Sequence, residues 1–266
     1  MSRIRNAFNA AQEEDRAALI CYLMAGSPSL EGSKDMVKAC VRGGADIIEL
    51  GMPYSDPVAD GKVIQEAAMS SLGQGTMPRD TIRMVKELRG ELETPMVLMG
   101  YYNPIQRLGE ELFVSECTDA GVDGLIVPDL PMHESTALRS HCRRAGLDLI
   151  HITTTLTSPA RREELVRAGS GFTYMMTRTG VTGPGLPFAQ DIAPLIASTK
   201  RIDPGLPLAL GFGVSGADDV RRLRAAGADG VIVGSLLVGM VSEGSSAVSL
   251  EREVVRLSEA CGNAMP

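Results

Sequence analysis

The sequence predicts an α/β fold, a (β/α)8 TIM barrel with an extra N-terminal helix. One observation carries most of this. A phrase of glycine, one residue, aspartate and then an apolar run recurs four times: Gly44-Ala45-Asp46-Ile47-Ile48, Gly121-Val122-Asp123-Gly124-Leu125-Ile126-Val127, Gly146-Leu147-Asp148-Leu149-Ile150 and Gly227-Ala228-Asp229-Gly230-Val231-Ile232-Val233. The glycine fits the end of a helix, where a positive φ is wanted. The unbroken apolar run fits a parallel strand covered on both faces. The second observation is that each phrase follows a stretch with helical apolar spacing. The third is a length of 266 residues without a Ser/Gly tract, a charge block or a compositional shift, which suits one barrel domain over residues 1–266.

In chain order, an amphipathic helix at 4–13 precedes a first strand at 18–24 and a helix at 30–42. The second strand opens at Ile47 and ends at Glu49. Helical spacing follows at 80–89, 108–120, 134–145, 159–168, 189–199, 217–226 and 250–261. Between these lie the other repeat strands and candidate strands at 96–99, 172–175 and 208–211. Strands alternating with helices in this way give a closed barrel. A doubly wound open sheet is the competing fold. Its glycine-rich G-x-G-x-x-G turn after the first strand is missing, and only Ala25-Gly26-Ser27-Pro28 stands there.

Composition excludes several functions. A net charge of −7 with no Lys/Arg cluster argues against a nucleic-acid footprint, and 4% aromatics without Trp leave little for base stacking. The N-terminus lacks the apolar core of a signal peptide, and the longest nearly apolar run, 231–241, is too short to span a bilayer. A soluble, cytoplasmic protein is expected. Cys21, Cys40, Cys117, Cys142 and Cys261 form no C-x-x-C and read as reduced, buried thiols. His133, His141 and His151 show no metal-ligand spacing, and no metal is expected.

Barrel chemistry is expected at the C-terminal ends of strands. Glu49 sits there, in an apolar run where a lone carboxylate is costly. Asp60 lies in the following loop, Gly51-Met52-Pro53-Tyr54-Ser55-Asp56-Pro57-Val58-Ala59-Asp60-Gly61. Two carboxylates in unlike surroundings divide acid and base work. Glu49, buried, is expected to hold a proton, and Asp60, nearer solvent, to stay ionised. The alternative is structural: Glu49 paired with a cation, and Asp60 capping a helix that starts near Val63. A second cluster, Gly211-Phe212-Gly213-Val214-Ser215 with Gly234-Ser235, places glycines after the last two strands. There a helix beginning at about Ser235 would turn its N-terminus toward an anion. Plain helix-capping glycines are the alternative. A third feature, Thr177-Arg178-Thr179-Gly180-Val181-Thr182-Gly183-Pro184-Gly185-Leu186-Pro187, reads as a lid or as an ordinary surface loop. Tyr174, in the strand before it, is either a pocket wall or core.

With these motifs, the chain resembles the tryptophan synthase α subunit family over nearly its whole length. The segment from Glu49 to Gly61 is the most specific piece. Tyr101-Tyr102-Asn103-Pro104, Pro128-Asp129-Leu130-Pro131, Gly180-Val181-Thr182-Gly183, Gly211-Phe212-Gly213 and Val233-Gly234-Ser235 follow in the family's order and spacing. The resemblance implies retro-aldol cleavage of indole-3-glycerol phosphate to indole and glyceraldehyde 3-phosphate. Glu49 would make both proton transfers and Asp60 would accept the indole N–H. Gly183, Gly211, Gly213, Gly234 and Ser235 would hold the phosphate. Tyr22, Tyr174 and Phe212 would line the pocket, and Thr182 would help set the closed lid. It also implies a β-subunit partner carrying pyridoxal phosphate, in an α2β2 heterotetramer, docked near Pro53, Asp56 and Asn103-Pro104, with no cofactor on this chain. Ser27, Lys62, Met132-His133 and Thr153-Thr154-Thr155 depart from the family's pattern and bear on regulation more than on the reaction. Two other readings remain: a phosphate-binding isomerase or epimerase on the same barrel, and a non-catalytic module that activates a partner.

Overall fold

The computed structural model describes residues 2–177, 192–211 and 213–262. The strands are β1 (Ala18–Met24), β2 (Ile47–Gly51), β3 (Met96–Met99), β4 (Gly124–Ile126), β5 (Asp148–Ile150), β6 (Ile152–Thr154), β7 (Thr173–Met176), β8 (Leu208–Gly211) and β9 (Gly230–Val233). All pair in parallel, in the order β5-β4-β3-β2-β1-β9-β8-β7-β6. The two ends of that order are consecutive in the chain. The first half of the fifth stave bonds to β4 and the second half to β7, with His151 between them. The sheet is therefore a barrel of eight staves, and the open doubly wound sheet is excluded. Sequence periodicity placed the fifth strand at 147–150; it continues to Thr154, through residues too polar to read as a buried strand.

The helices differ from expectation in three places. The loop after β2 is followed at once by α3 (Lys62–Gly73), ahead of α4 (Pro78–Arg89). The stretch after β3 holds two helices, α5 (Tyr102–Leu108) and α6 (Glu110–Ala120), broken at Gly109, whose φ is +92°. The helix read at 134–145 is α7 (Thr136–Ala145). Helices α1 (Arg3–Glu13), α2 (Leu30–Arg42), α8 (Pro159–Ala168), α9 (Ala193–Lys200), α10 (Ala217–Ala225), α11 (Ser235–Ser242) and α12 (Ala247–Cys261) complete the chain. No described helix is long and apolar enough to cross a membrane.

Side chains alternate along each strand, and here the alternation sorts two cores. Leu19, Cys21, Leu23, Ile48 and Leu50 pack outward against the helices. Ala18, Ile20, Ile47, Val97, Ile126, Phe172, Tyr174, Ala209 and Ile232 fill the interior. Helix α1 closes the N-terminal end. Its buried Ile4, Phe8 and Ala11 join the interior core, and the Phe8 ring sits 5.6 Å from that of Phe172. All five cysteines are buried and unbridged.

The recurring aspartate has a physical reason. Asp46 donates its N–H to the Leu19 carbonyl, and its carboxylate accepts the Leu19 N–H at 2.7 Å. Asp123 treats Met96 the same way, at 2.8 Å, and Asp229 treats Leu208, at 2.9 Å. Each carboxylate also holds a cation: Arg16, Arg89 and Lys200 in turn. The repeat thus fastens the start of one strand to the start of its neighbour. The fourth copy differs: Asp148 bonds its backbone to Asp123, and its Oδ2 has no hydrogen-bond partner.

Candidate active site

Because Ile47 points inward, a period of two sends Glu49 inward one layer higher, at the C-terminal mouth. Glu49 is 1% exposed, and among the described residues neither carboxylate oxygen has a hydrogen-bond partner. The cation of the structural alternative is absent among the described residues. An unpaired buried carboxylate favours its protonated form. Burial first, and the nearby Asp60 second, push Glu49 up to about 8.

Asp60 ends the loop after β2. It is 9% exposed, so it is less solvated than its loop position suggested. Burial raises it to about 6, and a hydrogen bond from the Tyr101 hydroxyl holds it from rising further. It does not cap α3. The N-cap is Gly61, and no side chain caps that helix. At neutral pH these values put a proton on Glu49 and a charge on Asp60.

Both carboxylates line one cavity with Tyr22, Gly61, Ile64, Met99, Tyr174, Gly213, Ile232, Gly234 and Ser235. Tyr22 is the register partner of Glu49 in β1. A Cβ on Gly51 would lie 2.1 Å from the Tyr22 hydroxyl, so that glycine makes room for the ring. On the far wall, burial raises the Tyr174 phenol, and the charge of Glu49 adds to it. Gly211 ends β8 beneath Tyr174. A Cβ there would be 2.9 Å from the Tyr174 hydroxyl, so its place is under the wall rather than on the lining.

Gly213 adopts φ +83°, a left-handed turn open to glycine. Gly234 is the N-cap of α11, which has no side-chain cap and no acid in its first turn. Among the described residues no side chain caps its first N–H groups, which carry the positive end of the helix. Thr177 fastens the end of β7 by donating its N–H and its hydroxyl, each at 3.0 Å, to the Gly211 carbonyl. Thr182, Gly183 and Phe212 lie outside the described residues. Among the described residues no group of three or more His, Cys, Asp or Glu is placed to hold a metal.

The family model for the tryptophan synthase alpha chain matches residues 8–265. The chain belongs to the tryptophan synthase alpha chain family. The family's alpha chain from Methanosarcina barkeri is 45% identical over 91% of this chain and 90% of that protein. The alpha chain of a Synechococcus species is 42% identical over 92% and 90%. Among solved structures, tryptophan synthase from Mycobacterium tuberculosis in an aminoacrylate-bound form superposes with a TM-score of 0.88 at 32% identity, over 98% of this chain and 100% of that one. The alpha subunit from Legionella pneumophila gives 0.86 at 29%, over 98% of each. The family's reaction, cleavage of indole-3-glycerol phosphate by a carbon–carbon lyase, is this chain's activity.

Sequence reading gave Ile64, Met99, Ile232 and Gly61 no role. Met99 and Ile232 were legible in principle, as inward positions of their strands. Ile64 was not, because a helix near Val63 entered only as part of the structural alternative for Asp60. Tyr101 stood inside a quoted motif without a function of its own.

Proposed function

We propose that Glu49 and Asp60 carry the cleavage of indole-3-glycerol phosphate in the tryptophan synthase alpha chain reaction. Protonated Glu49 gives its proton to indole C3, and the ring becomes an indoleninium, an electron sink. The resulting carboxylate takes the proton of the adjacent side-chain hydroxyl. The C3–carbon bond breaks, its electrons return to the ring, and glyceraldehyde 3-phosphate leaves as the aldehyde. Glu49 ends protonated, as it began. Asp60 accepts the indole N–H and steadies the positive charge that grows on the ring. Each proton transfer by a positioned group is worth about 10²–10⁴-fold, and charge stabilisation in a closed pocket adds a comparable factor.

The observation that carries this reading is the buried Glu49, without a hydrogen-bond partner among the described residues, in one cavity with Asp60. The phosphate would rest on Gly213, Gly234 and Ser235 at the uncapped start of α11, with Gly183 closing from the lid. Tyr22, Tyr174 and Phe212 would flank the ring, and Thr182 would set the closed lid. The partner is a β subunit carrying pyridoxal phosphate, in an α2β2 assembly, with no cofactor on this chain. A groove lined by Pro53, Asp56, Asn103 and Pro104 supports docking there. The deciding experiment is indole release from indole-3-glycerol phosphate by the purified chain, alone and with a β subunit. No release in either case rejects the reading.

A further inference from the structure

Tyr101 is 3% exposed and sits between β3 and α5, on a different element from either carboxylate. Its hydroxyl accepts the Ala59 N–H at 3.0 Å, one residue before Asp60, and favours the ionised form of that carboxylate. It therefore grips the loop after β2 at the residue before Asp60. The ring is itself held. It stacks on Tyr54 of the same loop, with centroids 5.1 Å apart and planes at 25°. The Tyr54 hydroxyl accepts from Asn103 Nδ2 at 3.2 Å. The next residue, Tyr102, donates its N–H to Asp129 Oδ1 at 2.9 Å, which ties this turn to the loop after β4. Gln65 of α3 donates to the Asp60 carbonyl at 2.8 Å and fixes the backbone from the other side.

We propose that Tyr101 is a positioning residue for Asp60, its hydroxyl holding the loop at the neighbouring Ala59 N–H so that one carboxylate oxygen stays aimed at the substrate nitrogen. A loop carboxylate without such a tie spreads over several rotamers, and a positioned group loses rate when its geometry loosens. The hydroxyl also favours the ionised carboxylate, because a donor bonded to the charged form stabilises it. The groups that face Asp60 are Glu49 from β2, Tyr22 from β1, Tyr174 from β7 and Tyr101 itself; Asp129 faces Tyr101. Of these, Tyr101 holds Asp60 toward its ionised form.

This inference rests on the reading in which Asp60 serves the substrate nitrogen. Its test is the pH dependence of indole release by the full chain with a β subunit, for the unsubstituted chain and Tyr101→Phe. Phenylalanine keeps the ring on Tyr54, and the two thermal transitions should lie within about 3 °C of each other. In the variant kcat falls roughly tenfold, with KM for indole-3-glycerol phosphate within about twofold. The acid limb of kcat/KM moves up by roughly one pH unit, so the deficit is greatest near pH 6 and narrows toward pH 8. A deficit independent of pH, or no deficit, overturns the proposal. A separate arm, Glu49→Gln, reports on the underlying reading: if Glu49→Gln abolishes indole release while Tyr101→Phe leaves the acid limb in place, only the role of Tyr101 fails.

Discussion

Tyr22 stands opposite Glu49 in the parallel register of β1 and β2, and its hydroxyl lies over Gly51, two residues further along the same strand as the carboxylate. The ring therefore roofs the one inward position where β2 carries a charge. The shielding raises Glu49, and it costs stability whenever the carboxylate is ionised.

That cost has a definite sign with pH. The folded chain holds the Glu49 proton up to about 8, whereas an unfolded glutamate releases it near 4.3. Between those values the native state binds more protons than the unfolded one, and stability falls as pH rises. Glu49→Gln should therefore be more stable than the parent, by roughly 2–4 kcal/mol at pH 8 and little at pH 4.5. Denaturant unfolding at the two pH values measures this. A gain that is equal at both would mean that the carboxylate is not desolvated.

The same two carboxylates set the pH–rate profile. On the proposed roles, activity requires Asp60 ionised, about 6, and Glu49 protonated, about 8. A plot of kcat/KM against pH should be a bell whose limbs lie near those values. A profile that stays flat from pH 5 to 9 would contradict both roles.

Asp60→Asn keeps the shape and removes the charge. We expect kcat to fall by roughly a hundredfold or more, while binding of glyceraldehyde 3-phosphate changes by less than about threefold. The reason is that the proposed phosphate cradle at Gly213, Gly234 and Ser235 follows other staves, β8 and β9. Calorimetric titration with that product checks it. A large loss of product affinity would give Asp60 a structural task instead.

The closed end of the barrel should answer to stability alone. Phe8→Ala opens a hole between α1 and Phe172 and should cost about 3 kcal/mol. Indole release by the folded enzyme should stay within about twofold of the parent, because catalysis occupies the opposite mouth. Parallel thermal melts and assays at 20 °C separate the two effects.

Much of this was legible in the chain, for reasons that particular residues make plain. The four aspartate repeats announced their strands, because a continuous apolar run after a helix-ending glycine has few other uses. Glu49 was legible because it breaks such a run. The extension of the fifth stave past His151 was hidden, since Thr153 and Thr154 are polar and the strand changes partners midway. The cluster at the start of α5 was hidden too: Tyr102-Asn103-Pro104 reads as a loop, and its order comes from Asp129, a residue distant in sequence. Asp60 was placed nearer solvent than it lies, and Tyr101, which favours its ionised form, comes from the loop after β3, which no local pattern connects to it. The structural uses of the repeat aspartates needed the tertiary pairs with Arg16, Arg89 and Lys200 to become visible.

The most direct measurement is the rate of indole formation from indole-3-glycerol phosphate by Glu49→Gln, assayed with a β subunit beside the unsubstituted chain. The account predicts a fall in kcat of roughly a hundredfold or more, with the variant folded and still binding glyceraldehyde 3-phosphate. A rate within about twofold of the parent would show that the proton reaches the ring from some other group.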